Sequence, residues 1–473
     1  MDRVRPNVLF AVIFGVTLLL RLCHAGVLWV EEAYPSAAAL EMLRGRVLYR
    51  DLWFDKPPLF PLLYLLWGAA EGWALRLAGA AFVTLSAAAA WFAARRLAGE
   101  REAALAAALL AFFLNFGVPS AVMALTPDML LIPLHLAAIG CAAAGWPFAA
   151  GLLCGAGLLL NSKAALVLVA CGLWQWRSAH RLLSGCLGVQ ILAAAGLASV
   201  GALGPYWEQV WAWGGVYSRE TFVDHPWREG LRRTLNWAGM HGALVAGAAV
   251  WFWRQRDRES ARLAGWLLIS LAGVALGARF FPRYFFHLLP ALAVIGACGL
   301  ARLPRRALAA AALLMLVPLV RYAPRYGDLA LDALGVRPSV WRDLALERDS
   351  RAAAALLAQW KRPGDTLLVW GYRPELFVFT QLPAATRFLD SQPLSGVLAD
   401  RHLTDSTVTF PELAIRHRAM LGRQPRPHVI IDGLGPLNPR LAFFELSGFS
   451  AWAGDYEMIG KTSFCVLYRL RTP

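Results

Sequence analysis

The sequence predicts a polytopic α-helical membrane protein followed by an α/β domain outside the bilayer. Three observations carry that expectation. Hydrophobic residues make up 58% of the 473 positions and charged residues only 16%, with a mean hydropathy of +0.49, too apolar a balance for a soluble globular chain. The apolar runs are spread over residues 7 to 323 rather than gathered into a single anchor. After Arg321 hydropathy falls, and short strand-forming runs replace the long apolar ones.

The elements follow in order. Met1 to Pro6 carries Arg3 and Arg5 and is expected on the cytoplasmic side. The first apolar run is longer than a signal-peptide core and lacks a cleavage site, so it is retained as a span. A first outer loop then covers 29–72. Within it, Leu59 to Ala70 is apolar but falls short of the roughly 20 residues needed to cross. If that run crossed, Arg95, Arg96 and Arg101 would fall outside; if it lies along the surface, they fall inside. The same choice puts the later clusters inside: Arg177 with Arg181, Arg254 to Arg262, and Arg302 to Arg306. The surface reading is therefore preferred. The spans are 7–28, 73–95, 103–117, 128–145, 147–161, 163–177, 182–203, 237–253, 263–279, 285–301 and 307–323, about eleven in all. The outside loop 204–236, rich in Trp and Tyr, suits the headgroup zone.

A membrane domain over 1–323 thus precedes an extracytoplasmic domain over 324–473. In the latter, Ser350 to Lys361 reads as a helix and Pro363-Gly364-Asp365 as a turn. Thr366 to Gly371 and His428 to Asp432 read as strands, and Tyr456 to Leu470 as a hairpin.

Charge and cysteine usage exclude several functions. The net charge of +15 sits largely in short clusters between apolar spans, where it sets topology and meets anionic headgroups; no nucleic acid partner is implied. Lys56, Lys163, Lys361 and Lys461 are the only lysines. Six of the seven cysteines lie in apolar spans, without disulfide or metal spacing. His24, His135, His241 and His287 likewise lack metal-like partners and read as packing or interfacial residues. No metal ligand or certain cofactor emerges, although the chemistry leaves room for a divalent metal.

The first outer loop gathers Glu31, Glu32, Asp51, Asp55 and Lys56 beside the hydrocarbon zone, and intramembrane or interfacial charge of that density points to use. Pro35 to Leu43 predicts a short helix, with Glu31 and Glu32 just before its N-terminus, where the dipole favours the ionised form. Either carboxylate could serve as a general base toward an alcohol, or could simply cap the helix. Lys56 precedes Pro57-Pro58, which remove backbone donors, so a phosphate contact there would fall to Lys56 itself; the alternative is a lysine snorkelling to headgroups. Arg44, Arg46 and Arg50 read as surface residues. Arg279, Arg283 and Tyr284 join two spans on the outside and could hold a phosphodiester, or anchor the chain at the interface. Asp128, after Thr126-Pro127, could orient a base or charge a helix N-terminus.

These residues resemble a known family. The run Glu31-Glu32-Ala33-Tyr34 … Glu41-Met42-Leu43-Arg44-Gly45 … Tyr49-Arg50-Asp51 … Asp55-Lys56-Pro57-Pro58-Leu59 is similar to the first outer loop of the GT-C glycosyltransferases. It resembles the bacterial branch related to protein O-mannosyltransferases and to the lipid A aminoarabinose transferase. Leu125-Thr126-Pro127, Phe281-Pro282-Arg283-Tyr284 with Leu289-Pro290-Ala291-Leu292-Ala293, and Val369 to Leu376 match later segments in the expected order. The resemblance implies a GT-C fold with interfacial helices in the first loop, in a bacterial inner membrane, with the active site and C-terminal domain outside. It also implies a polyprenyl-phosphate sugar donor, an acceptor hydroxyl on a lipid, polysaccharide or protein, and an inverting displacement. The family's acidic pair supplies the base and matches Glu31 and Glu32, where the usual leading aspartate is a glutamate. Lys56 matches the donor-phosphate lysine and Tyr284 the late-loop tyrosine; Asp55, Asp128 and Tyr34 are supporting candidates. Tyr34 stands where the lipid A enzyme has an arginine, so that phosphate contact is missing. A lipid-linked saccharide transporter or flippase, or an inactive glycan-binding relative, are the alternatives.

Overall fold

The computed structural model describes residues 5–221, 224–341 and 344–471; Arg3 and two residues of the 204–236 loop lie outside them. Helices dominate, and most match the expected spans within a few residues: Trp73–Leu97, Glu100–Phe113, Pro127–Ala143, Pro147–Leu158, Arg258–Ala275 and Leu289–Leu300 among them. The spans expected at 163–177 and 182–203 form two helices, Ala164–Gln175 and Ala179–Ser199, joined by a 3-10 turn at Trp176–Ser178; the second packs along Pro147–Leu158, with Gly151 against Leu182 and Gly155 against Cys186. Among the described residues Trp73–Leu97 is long and apolar enough to cross a bilayer, and so is 164–199 when its two helices are counted as one run. The pair Arg305–Leu314 and Leu316–Ala333, bent by 41°, would make a third. The expected figure of about eleven is thus a count of apolar helices, many shorter than a full crossing of ~20 residues.

Four expectations shift. The helix expected at Pro35 begins at Val30 and runs to Leu43, so Glu31 and Glu32 occupy its first turn. Pro35 inside the helix forfeits only its own N–H, the donor that would have met the Glu31 carbonyl, and the turn before it survives. The boundary expected at 323 falls inside Leu316–Ala333, because the drop in hydropathy marks a helix becoming amphipathic. Its buried face includes Tyr322, Arg325, Tyr326 and Leu329. The span expected at 237–253 is divided into Pro226–Met240 and Gly242–Arg254. The first of these exposes Trp227, Leu231 and Leu235 along one stripe. Finally, Arg44 and Arg46 are not free surface cations: Arg44 donates to the Gln381 carbonyl (2.8 Å) and Arg46 to those of Thr386 (2.8 Å) and Ala384.

The apolar run after Lys56 folds as Leu59–Tyr64 and a 3-10 turn, Leu65–Trp67. Nine helical residues reach about 14 Å, less than half the ~30 Å hydrocarbon core. Length therefore agrees with a surface position. Beneath this loop lies a buried polar layer. Glu32 pairs with Arg76 at 2.6 Å, both side chains fully buried, and accepts the Leu125 N–H at 3.2 Å. Arg21 donates to the carbonyls of Val122 (2.7 Å) and Met123 (2.8 Å), and the Tyr64 hydroxyl to that of Leu125 (3.0 Å). Gly79 makes room for it: a Cβ there would come within 2.3 Å of the Arg21 guanidinium. Each side chain finds at least one partner, as a buried charge requires, although Arg21 Nε and Arg76 Nε have none among the described residues.

The C-terminal sheet has the order β1-β2-β4-β3, with β1 Leu367–Trp370, β2 Val429–Asp432, β3 Tyr456–Lys461 and β4 Val466–Leu470. β1 and β2 are parallel and buried throughout, whereas β3 and β4 form the expected antiparallel hairpin. The helix Ala345–Ala358 matches the expected one. The sheet layer is bound to the first loop through backbone and charge: Trp53 N–H to the Arg387 carbonyl at 2.7 Å, Arg387 to that of Tyr49 at 2.9 Å, and Arg351 to Glu71 at 2.7 Å.

Candidate active site

Of the two adjacent glutamates, Glu31 is the one that the fold leaves accessible. One helical position from the sealed Glu32, it lines a cleft of about 100 Å³ with Ser120, Ala121, Phe281, Pro282, Arg283 and Asp400. Arg283 donates to it at 2.9 Å, and the two side chains keep 29% and 23% of their surface. Burial raises the Glu31 pKa above the ordinary carboxylate range, and Arg283 opposes that rise. The result is a stronger proton acceptor held at the first turn of a helix. The pair of glutamates is thus divided by what stands opposite each: Arg76 in a dry interior, Arg283 at an open cleft.

The loop that carries Arg283 is strained. Ala278 and Phe280 both have positive φ, 50° and 49°, beside Gly277 at 78°, conformations L-residues adopt at a cost of order 1–3 kcal/mol each. Arg279 holds the loop by donating to the carbonyls of Tyr217 and Glu220. Phe280 locks it by packing on Gly230, where a Cβ would lie 2.3 Å from the ring. Arg279 is buried, with its guanidinium over the Tyr217 ring at 3.9 Å. Its described contacts are therefore to protein, and Arg283 is the arginine that reaches the cleft.

Lys56 keeps 39% of its side-chain surface and pairs with Asp55 at 2.6 Å. Its Nζ lies 5.6 Å from the centre of the Tyr217 ring, whose hydroxyl donates to Asp400 at 3.2 Å. The Lys56 carbonyl accepts from the Tyr49 hydroxyl at 2.7 Å, fixing the backbone ahead of Pro57-Pro58. Tyr34 stacks on Phe54 at 4.7 Å and is buried. Behind Lys56, Asp390 is pushed up to about 7 by burial, with Asp55 adding to the rise.

Asp128 stands in the first turn of Pro127–Ala143 and accepts from Asn161 (2.9 Å) and from the His287 Nε2 position (3.0 Å). Nearby, Lys163 Nζ sits 3.5 Å from the centre of the Tyr284 ring, and has no hydrogen-bond partner among the described residues. Sequence reading missed four of these groups: Lys163, noted only as one of the lysines; His287, read as packing or interfacial; and Tyr217 and Asp400. For Lys163 a signal existed, since an arginine-rich chain keeps only four lysines among 46 basic residues. Among the described residues no three His, Cys, Asp or Glu side chains are placed to hold a metal ion, and none is assigned one.

A helical domain with an acidic first loop, capped by a small sheet domain, is an architecture shared with solved structures. Comparison narrows the kind: the fold is similar to that of ArnT. The family model described as dolichyl-phosphate-mannose-protein mannosyltransferase matches residues 55–200. ArnT from Cupriavidus metallidurans bound to undecaprenyl phosphate superposes over 98% of this chain and 97% of its own, with a TM-score of 0.59 at 17% identity. Its apo state gives 0.61 over the same shares. The arabinofuranosyltransferase AftD from Mycobacteria matches with a TM-score of 0.51 at 16% identity, this chain covering 40% of that one. No curated protein matches by sequence.

Proposed function

We propose that this chain is an integral membrane glycosyltransferase that moves a sugar from a polyprenyl-phosphate donor to an acceptor hydroxyl on the extracytoplasmic face, with inversion at the anomeric carbon. One observation carries the reading. An accessible carboxylate with a raised pKa, Glu31, shares a cleft with Arg283, and Lys56 lies beyond Tyr217 and Asp400. In this scheme Glu31 takes the proton from the acceptor hydroxyl as the oxygen attacks the anomeric carbon. The leaving group is the lipid phosphate, whose growing charge Lys56 and Arg283 stabilise, with Tyr284 and Lys163 at the rear of the site. Arg279 supports the Arg283 loop, and Glu32 holds the loop in place. The positive-inside clusters support an outside site, and the bound lipid of ArnT supports the donor class.

The test is a transfer assay with purified protein and polyprenyl-phosphate sugars. Product is expected from the wild type; with each variant checked for normal insertion, Glu31→Gln should lose nearly all of it and Lys56→Ala should form it at least about tenfold more slowly. Full activity in both variants would overturn the proposal.

A further inference from the structure

The two sides of helix Pro226–Met240 face different surroundings. The inner side rests on the loop that presents Arg283. Gly230 meets the Phe280 ring, Arg233 donates to the Arg279 carbonyl at 2.8 Å, and Trp237 stacks on Phe285 with ring centres 5.0 Å apart. The outer side is apolar and open: Trp227, Leu231 and Leu235 recur at four-residue steps and are 68%, 62% and 62% exposed. Arg228 and Arg232, exposed as well, stand about 100° further round the helix, along one edge of that stripe.

Composition and continuity name what covers this face. Three arginines and a glutamate within 15 residues are too many charges for the hydrocarbon core. Tryptophan and leucine on one face, with arginine at its edge, suit a helix lying in the plane of a lipid interface. One residue beyond its end, at His241, the apolar helix Gly242–Arg254 begins. Its inner side packs Gly247 on the Gly296 carbonyl, and Val245 and Trp253 point outward. The apolar surface of a membrane-type helix thus continues onto Pro226–Met240, and the occupant it fits is lipid. Charge refines the lipid class. Arg233 is turned inward, and Glu229, which accepts from Arg232 at 2.7 Å, offsets only one of the two outward arginines. The surplus is positive and complements anionic phosphate headgroups.

We propose that helix Pro226–Met240 docks on an anionic phospholipid leaflet and that this contact steadies the Arg283 loop beneath it. The inference does not depend on the transfer chemistry, and its test needs no turnover. Full-length protein is placed in phosphatidylcholine nanodiscs with and without phosphatidylglycerol. Each lipid in turn carries a diazirine near its headgroup, and labelled peptides are mapped by mass spectrometry. Phosphatidylglycerol is expected to label 224–240 more strongly than phosphatidylcholine does. Arg228→Gln combined with Arg232→Gln should lower that label at least about fivefold, the factor one arginine contributes near an anionic surface, at an unchanged melting temperature. If the double variant unfolds, added salt on the wild type serves the same purpose, because screening should remove the preference. In hydrogen exchange, the amides of 277–284 should exchange more slowly in the anionic discs, and the double variant should erase the difference. Equal label from the two lipids, no label on 224–240, label lost when two copies share a disc, or loop exchange indifferent to lipid would each overturn the proposal.

Discussion

Glu31 and Glu32 are neighbours in one helical turn with identical side chains, yet they belong to different systems. Glu32 is sealed against Arg76 and the Leu125 amide, with no exposed surface. Glu31 meets Arg283 at the edge of a cleft and keeps part of its surface. The difference shows that a carboxylate's role is set by its opposite number and by access, and that spacing along the chain decides neither. The buried pair organises the loop; the accessible one opens onto the cleft.

The strongest way to break this contrast is to unseal the buried side. Glu32→Ala strands the Arg76 guanidinium in a dry interior, a change that costs about 3–5 kcal/mol; denaturant unfolding in detergent should register it, and a loss below ~1 kcal/mol would remove the distinction. Lys56→Ala is next. Removing one charge-assisted contact to a phosphate, worth about 1.5–3 kcal/mol, should lower kcat/KM by roughly 10- to 150-fold with unfolding unchanged.

A pH titration sharpens the comparison further. Asp390 is held up to about 7 by burial, against an ordinary value near 3.9. Between those values the folded protein keeps a proton that the unfolded chain has lost, so stability falls as pH rises through this window and levels off above it. The slope is at most about 1.4 kcal/mol per pH unit. Asp390→Asn should flatten that limb; an unchanged profile would show that Asp390 does not titrate there. The smallest effect belongs to Arg50→Ala. The Arg50–Asp51 pair is exposed at 49% and 32%, and losing it should alter stability by less than ~0.5 kcal/mol in an unfolding measurement.

Much of the fold was legible because its signals are local. Apolar runs fixed the helices, and the strand-rich segments Thr366 to Gly371 and His428 to Asp432 became β1 and β2. Helix starts were less legible: Pro35 suggested a beginning, but tertiary contacts of Glu32 extend the helix back to Val30. Of the candidate site, residue type and order singled out Glu31, Lys56 and Arg283, and the structure sets Arg283 2.9 Å from Glu31. The work of Arg279 was not, because its partners are backbone carbonyls some sixty residues away. Lys163 and His287 escaped for the same reason: their neighbours Tyr284 and Asp128 come from distant segments, and no periodicity records that meeting.

The central claim is that Glu31, and not Glu32, removes the acceptor's proton. The direct test measures transfer per folded molecule, together with melting temperature, for Glu31→Gln and Glu32→Gln side by side. Glu31→Gln is predicted to melt like the wild type and to lose about 10²- to 10⁴-fold in rate, the usual contribution of a general base, with Glu32→Gln losing stability first. A Glu31→Gln protein that transfers at the wild-type rate, beside a normally stable Glu32→Gln protein that does not, would contradict the account.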